Sequence, residues 1–494
     1  MNKHLTWHDR AKGLTFQTKA FIGGKLVDAA SGKTFDSINP ATNARLAAIA
    51  ECDAEDVNRA VAAARRAFDS GVWSRCAPGD RKAVLLRLAD LIRANLDDLA
   101  LMESLDTGKP INNALTADIP LSASTIQWFA EAIDKVYDEI APADPGNLAL
   151  IRRDPMGVVA CVVPWNYPLM MACWKIAPAL AAGNSVVLKP AEQSPLTALR
   201  LAELAAEAGL PEGVLNVLPG YGETVGQALG RHMDVDCIAF TGSTEVGKYF
   251  LKYSAESNMK PAWLECGGKS PNLIFADCDD LEAAADAAAF GIWYDQGEVC
   301  TANSRLLVEE SIKDRFVDLL KARAQNWQPG DPLNPATPMG AIVEPRQTDR
   351  ILSYIEKGKA SARLVAGGEQ KTIGGSSNFV TPTIFDGVTN DMTIAQEEIF
   401  GPVLSVMTFK TEEEAVRIAN SSIYGLAASV WSNNLKRVMR LSDSIRVGTL
   451  SVNCMDAAGN IVPFGGFKQS GIGRDQSLHA FDKYTNLKTV WIKF

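Results

Sequence analysis

The sequence predicts an α/β protein with two parallel-sheet domains and a small β arm. Three observations carry this reading. The 494 residues exceed what one compact core accommodates. Short apolar strands alternate with helices between about 157 and 260, and a second such stretch runs from Leu264 to about 465. A polar hairpin near 137–154 fits neither stretch.

The elements follow in order. AFIGGKLVDA is a Gly-Gly turn between alternating apolar residues, and FDSINPAT is a further strand. From Asp53 to Asp106, apolar positions recur at spacings of three and four (VNRAVAAARRAF, RKAVLLRLADLIRANLDDLALMESL), which predicts helices. Thr107-Gly108-Lys109-Pro110 stops them, and another helix covers roughly 118–136. VYDEIAPADPGNLALIRRDP reads as two polar strands about an Asp-Pro-Gly turn, and TNLKTVWIKF as a C-terminal strand. They form either a surface ribbon or an arm that pairs with a second subunit. GVVACVVP, SVVLKP, VLNVLPG and DCIAFTGS are then buried parallel strands, with helices at 168–182, 195–208, 223–231 and 244–256.

Composition narrows the class. Hydrophobic residues make up 47% and charged residues 22%, which excludes disordered, collagenous and disulfide-scaffold proteins. The net charge is −9 and the basic residues are dispersed, so no nucleic-acid partner is expected. The start, MNKHLTWHDR, is polar, and no apolar run reaches the roughly 18 residues of a membrane span. The expectation is a soluble, cytoplasmic protein with no membrane partner. Nine scattered cysteines without a CxxC pair disfavour disulfides and structural zinc, and no metal is expected. With only His4, His8, His232 and His479 available, carboxylates or thiols are expected to do any chemistry.

Several residues stand where chemistry is feasible. GxGxxG is absent, but Lys189 and Glu192 lie just beyond a strand's carboxyl end, where open α/β sheets bind ligands. CIAFTGSTEVG passes from strand to helix through Gly242 and Ser243, whose amides and hydroxyl suit a pyrophosphate. A Gly-containing turn with a Ser cap explains the same residues. Glu265 ends a strand before Gly267-Gly268, where bare backbone lets another group approach. Cys300 follows a Gly in a loop or helix start, and a thiol at a helix N-terminus is activated. Taken singly, a core cysteine and a surface carboxylate are the better descriptions.

Together the strings are specific. PWNYP (164–168), VLKPAE (187–192), FTGSTEVG (240–247), ECGGK (265–269), QGEVC (296–300), EEIFGP (397–402) and PFGGFKQSGIGR (463–474) occur in this order. The chain resembles the NAD(P)-dependent aldehyde dehydrogenase family over essentially its whole length. The resemblance implies a Rossmann-like NAD-binding domain (1–136 and 155–264), an α/β catalytic domain (265–466) and an oligomerisation arm (137–154 and 480–494). A homotetramer, as a dimer of dimers, is implied over a simple dimer.

Carried over, Cys300 is the nucleophile that forms a thiohemiacetal, later oxidised to a thioester. Asn166 and the Cys300 backbone N–H form the oxyanion hole. Glu265 activates the hydrolytic water, and Lys189 joins the catalytic set. The implied cofactor residues are Trp165, Lys189, Glu192, Gly222, Gly226, Phe240, Gly242, Ser243, Glu265, Gly267, Glu398 and Phe400. A carboxylate on the adenosine ribose favours NAD over NADP. The sequence departs from the usual pattern at Cys266, where Leu is common, and at Glu298, where Gln is common. Cys266 is a second thiol that could compete with Cys300 for labelling reagents. Glu298 would raise the Cys300 pKa if it faced the thiol; the expected orientation is outward, into solvent.

By the same resemblance Tyr167, Met171, Trp174, Tyr294 and Phe464 line the substrate tunnel, with 454–462 as its outer loop. An aromatic tunnel holds an apolar aldehyde, or a cationic one through cation–π contacts. Asp118, at a position where aminoaldehyde-oxidising relatives place a carboxylate near the tunnel mouth, favours the cation. LDTGKPI, WFAEAIDKVYDEI, NWQPGDPL and GRDQSLHAFDKYTNLKTVWI are similar to bacterial enzymes of polyamine breakdown. The implied substrates are γ-glutamyl-γ-aminobutyraldehyde, 4-guanidinobutyraldehyde and 4-aminobutyraldehyde. The alternatives are a broad-specificity oxidiser of small neutral aldehydes such as 3-hydroxypropanal, a CoA-acylating relative, and a non-catalytic NAD-binding or structural protein.

Overall fold

The computed structural model describes residues 6–455 and 459–494. Two parallel sheets, each with helices on both faces, dominate it. The first has eight strands in the spatial order Lys25–Val27, Ala20–Ile22, Leu215–Val217, Ser185–Lys189, Val158–Val162, Cys237–Thr241, Ala262–Glu265, Gly471–Ile472. Its five inner strands are parallel, while short antiparallel strands close both edges. The chain lays down Val158–Val162, moves outward through Ser185–Lys189 and Leu215–Val217, then returns to Cys237–Thr241 on the other side. That reversal opens a crevice beyond the strands' carboxyl ends, the position at which such sheets bind ligands.

Period-two burial explains why these strands are apolar throughout. Val158, Ala160 and Val162 pack with Val187 and Ile238 on one face, whereas Val159 and Cys161 pack with Val186, Leu188 and Cys237 on the other. Helices cover both sides, among them Ala54–Ser70, Pro168–Ala181 and Leu196–Glu207. The long helical stretch after Asp53 is three helices, ending at Thr107 with Gly108 in the left-handed conformation. A wide π turn, Ala114–Asp118, precedes the helix Ile119–Ala132.

The second sheet has seven strands, in the order Arg363–Ala366, Thr383–Asp386, Val403–Phe409, Arg305–Glu309, Pro271–Ile274, Ala427–Trp431, Thr449–Val452. All its pairs are parallel except the first. The polar hairpin forms the strands Glu139–Ala141 and Asn147–Pro155, and Thr485–Lys493 adds antiparallel to the longer one. Leu487 and Trp491 are exposed on this ribbon. Among the described residues, no helix is long and apolar enough to cross a membrane.

Candidate active site

The two sheets meet at a cavity of about 690 Å³. Each wall comes from a strand end. Val158–Val162 leads into Trp165, Asn166 and Tyr167; Cys237–Thr241 into Gly242 and Ser243; Ala262–Glu265 ends on Glu265 itself. The loop before Arg305–Glu309 supplies Tyr294 and Cys300 from the second sheet.

Cys300 is half-buried in a turn, and no helix begins at it. The helix-start option for its activation therefore does not apply. The loop before it is unusual: Asp295, Gln296 and Gly297 all have positive φ (45°, 58° and 73°). For non-glycine residues such backbone costs of order 1–3 kcal/mol each, so the loop must be held. Gln296 Oε1 accepts from Gly340 N–H at 2.8 Å and its Nε2 donates to the Ala341 carbonyl at 3.2 Å. Asn113 Nδ2 donates to Asp295 at 2.7 Å.

Glu298 corrects an expectation. It is buried, with Oε1 accepting from Val343 N–H at 3.2 Å, because the preceding residues, Asp295–Gly297, turn the loop inward onto 340–343. Burial above all, and Asp295 besides, pushes its carboxyl well above the ordinary range, against the Val343 and Gln296 hydrogen bonds. Its backbone carbonyl accepts from Asn166 Nδ2 at 2.8 Å, which fixes that amide at the cavity wall.

Glu265 is buried, and neither carboxylate oxygen has a hydrogen-bond partner among the described residues. Burial first, and then Asp475, push its pKa up to about 8, with Lys175, Lys483 and Arg474 pulling the other way. The glycines after it do what their lack of bulk allows. A Cβ on Gly267 would lie 2.0 Å from Glu398 Oε2, and one on Gly268 would lie 2.6 Å from the Cys300 carbonyl. Glu398 Oε1 accepts from Gly268 N–H at 3.0 Å, and Trp165 meets Phe400 edge-to-face at 5.2 Å.

The cofactor fit can be tested on these residues. Ser243 caps the helix Thr244–Ala255, its oxygen accepting from Val246 N–H at 3.2 Å, and Ser243, Thr244 and Glu245 line the cavity. A Cβ on Gly242 would fall 2.5 Å from the Phe240 ring, so only bare backbone passes there. Lys189, Glu192, Gly222, Gly226 and Phe240 do not line the cavity. They cluster further out along the strand ends, with Lys189 Nζ 3.0 Å from Glu192 and Gly226 close to the Lys189 stem. Backbone amides at a helix start, an ammonium–carboxylate pair and a second carboxylate over Gly267 are groups that fit a dinucleotide.

Tyr167, Met171, Trp174, Tyr294 and Phe464 all line the cavity, with Trp174 and Phe464 edge-to-face at 5.0 Å. Part of the outer loop, 456–458, lies outside the described residues. Asp118 corrects a second expectation. It lies at the cavity wall but is buried and ion-paired with Lys109. Lys109 also lies 3.7 Å from Glu103, 3.6 Å from Asp295 and 4.1 Å from the Tyr167 ring centre. The helix stop at Gly108 throws Lys109 across the π turn, and so the carboxylate already has its cation.

Missed altogether was the group behind Glu265, where Asp475 bridges Lys175 and Lys483, all three buried. A lysine inside the otherwise apolar helix PLMMACWKIAPALA was the available signal, since a buried ammonium requires a partner.

The profile of the aldehyde dehydrogenase family matches residues 26–490. The chain belongs to this family. It is 53% identical over 490 residues to the NADP/NAD-dependent aldehyde dehydrogenase PuuC of Escherichia coli, spanning 99% of this chain and 98% of that protein. Among solved structures it is similar to an indole-3-acetaldehyde dehydrogenase of P. syringae in complex with NAD+ and IAA (58% identity, TM-score 0.98, 99% and 100% of the two chains). It is also similar to a gamma-glutamyl-gamma-aminobutyraldehyde dehydrogenase of Burkholderia cenocepacia (56% identity, TM-score 0.97, 99% and 100%). The aldehyde dehydrogenase fold, enzyme class and NAD(P) dependence expected from the motifs are borne out.

Proposed function

We propose that this aldehyde dehydrogenase oxidises ω-aminoaldehydes, γ-glutamyl-γ-aminobutyraldehyde among them, with Cys300 as nucleophile and Glu265 as general base. The observation that carries the catalytic assignment is a single cavity lined by Cys300, Asn166 and a Glu265 carboxyl raised to about 8. Cys300 Sγ attacks the aldehyde carbonyl. One Asn166 N–H is committed to Glu298; the second, together with the Cys300 backbone N–H, is assigned to the oxyanion. Bound NAD supplies the two-electron acceptor, held by Lys189, Glu192, Ser243, Glu398 and Phe400. Glu265 then takes a proton from water as that water attacks the Cys300 thioester, and releases the acid. Hydrolysis at Glu265 leaves no role for CoA, and CoA is expected not to stimulate turnover.

The substrate class is supported by the name of the Burkholderia relative. A second reading has its own observation: the Trp174–Phe464 wall and an Asp118 already paired with Lys109 suit a neutral aromatic aldehyde, in line with the name of the P. syringae protein. NADH formation decides between them, measured with γ-glutamyl-γ-aminobutyraldehyde, 4-aminobutyraldehyde, 4-guanidinobutyraldehyde, 3-hydroxypropanal, propanal and indole-3-acetaldehyde. A kcat/KM at least about tenfold higher for the nitrogen-bearing aliphatic aldehydes, about 1.4 kcal/mol, is expected. A lead for indole-3-acetaldehyde selects the aromatic reading, and a flat profile removes both.

The assembly proposed is a homotetramer through the arm. What supports it is the exposed Ile140, Leu487 and Trp491 on a ribbon of three strands, apolar surface that a monomer would leave in water. Sedimentation of the purified protein tests this, and a monomer at micromolar concentration would refute it.

A further inference from the structure

The aspartate behind the proposed base carries one ammonium on each oxygen. Asp475 Oδ2 meets Lys175 from the helix Pro168–Ala181, and Oδ1 meets Lys483 from the 3-10 turn Leu478–Lys483. Asp475 itself lines the cavity, its backbone paired with that of Phe464 in both directions at 2.8 and 2.7 Å. Gly465 lets the group close up on the base. A Cβ there would fall 2.9 Å from both Glu265 Oε1 and Arg474 Cδ.

Lys483 is threaded into place. Its carbonyl accepts from the Trp263 indole N–H at 3.1 Å, two residues before Glu265 on the same strand. Its stem runs beside Gly473, where a Cβ would lie 3.1 Å from Lys483 Cδ and 2.9 Å from the Trp263 ring. The next residue, Tyr484, is buried, and its carbonyl accepts from Met156 N–H at 3.2 Å just before the arm strand begins.

We infer that Lys483 is a positioning residue for the general base, holding Asp475 from the C-terminal side and leaving net positive charge facing Glu265. The inference rests on Glu265 being the base. With one lysine, Asp475 would form a neutral pair; with two, the group carries one unit of positive charge, which favours ionised Glu265. A buried ion pair adds little stability compared with apolar packing, so stability alone does not account for the second lysine. The charge balance agrees. Burial and Asp475 raise Glu265, while Lys175, Lys483 and Arg474 oppose them. Burial works against ionised Asp475, yet the two lysines hold it below the ordinary carboxylate value. Other titratable groups include Cys300 and Cys266 on the cavity wall, Glu398 across Gly267, and Tyr484 with Cys161 and Cys237 behind the lysines; Asp118, Glu245, Glu344, Arg346, Arg350, Tyr167, Tyr294 and Tyr424 also line the cavity.

The test is the pH profile of kcat in Lys483→Gln, which keeps a donor to Asp475 but removes the charge. Lys175 remains to keep Asp475 ionised, so losing the second cation moves the acidic limb upward by about one pH unit, and Lys483→Arg restores the wild-type position. An acidic limb unmoved in Lys483→Gln, at unchanged thermal stability, overturns the inference. So does an equal loss of rate at every pH, the mark of a merely structural lysine. If Lys483→Gln fails to fold, Lys483→Met is measured in its place under the same criteria. Glu265→Gln separates the two layers. If it retains the acidic limb, the base assignment fails; if it abolishes the limb while Lys483→Gln leaves it in place, only the role of Lys483 fails.

Discussion

The Cys300 carbonyl lies where a side chain on Gly268 would have to stand, 2.6 Å from its Cβ position. The adjacent Gly267 faces the Glu398 carboxylate instead, the end of a flexible side chain. The two glycines therefore fail differently. Gly268→Ala must shift the backbone of the nucleophile loop, and we expect a loss of about 1–3 kcal/mol in stability with kcat/KM down about a hundredfold or more. Gly267→Ala displaces only Glu398; the expected outcome is unchanged thermal stability and a KM for NAD raised roughly tenfold, about 1.4 kcal/mol. Unfolding curves and initial rates on both variants check this. Equal effects at the two positions would contradict it.

With its carboxyl raised to about 8, Glu265 is expected, as the proposed base, to set the pH dependence of the reaction. A base raised by burial is protonated at neutral pH, so kcat, which includes the hydrolysis step, is expected to climb through an acidic limb near that value and to level off above it. Glu265→Gln removes the limb and lowers the rate by about 10²–10⁴. Stopped-flow detection of an NADH burst in Glu265→Gln tells the steps apart. A burst places the defect in hydrolysis, and its absence moves Glu265 to an earlier step.

Much of this site was legible because its residues stand at strand ends within short strings. Glu265 before Gly267-Gly268, Ser243 after Gly242, and Asn166 after Pro164 announce a strand giving way to a turn, and the cavity forms there. The family strings added the roles. Partnerships between distant segments were not legible. Nothing in ECGGK says that Asp475 and Lys483, some 200 residues on, stand behind the glutamate. Lys109 read as part of a helix stop, and only the wide turn Ala114–Asp118 brings it to the carboxylate it neutralises. Glu298 read as an outward charge, whereas three successive positive-φ residues just before it turn it inward.

Glu298 makes a prediction about stability. Its folded-state carboxyl is held protonated well above 4.5, chiefly by burial, while the unfolded chain ionises near the ordinary value of about 4.3. The fold therefore loses stability from this group as pH rises through the unfolded value and continues to do so up to the folded one. Glu298→Gln keeps an acceptor for Val343 and does not titrate. It is expected to be more stable than the wild type at pH 7–8, with the difference vanishing near pH 4. Below the folded-state value Glu298 is uncharged, so the kinetic pH profile is expected to be the same in both proteins.

Cys266 lines the cavity beside Cys300, yet burial first, and then Glu265 and Glu398, push its thiol up to about 12. Nucleophilicity requires the thiolate. Iodoacetamide at pH 7.5 is therefore expected to modify the Cys300 peptide and leave the Cys266 peptide unlabelled, with activity lost in proportion to the first. Peptide mass spectrometry reads both sites in one experiment. Labelling of Cys266 at a comparable rate would show that the buried carboxylates do not protect it.

Asp118 returns the argument to the substrate. Its carboxylate stands at the tunnel wall but is committed to Lys109, with Glu103 and Asp295 gathered about the same ammonium. Burial, chiefly, raises Asp118 well above its ordinary value, and Lys109 opposes that rise. A carboxylate so placed is a poor counter-ion for a substrate ammonium. Asp118→Asn leaves Lys109 two other carboxylates and is expected to change KM for 4-aminobutyraldehyde and propanal by the same factor. Lys109→Met, which strands three buried carboxyls, is expected to cost about 3–5 kcal/mol and to unfold first. The ratio of the two KM values in Asp118→Asn is the decisive number. If KM rises selectively for the aminoaldehyde, the carboxylate reaches the substrate despite Lys109, and recognition of the cation lies at Asp118 rather than further out along the tunnel.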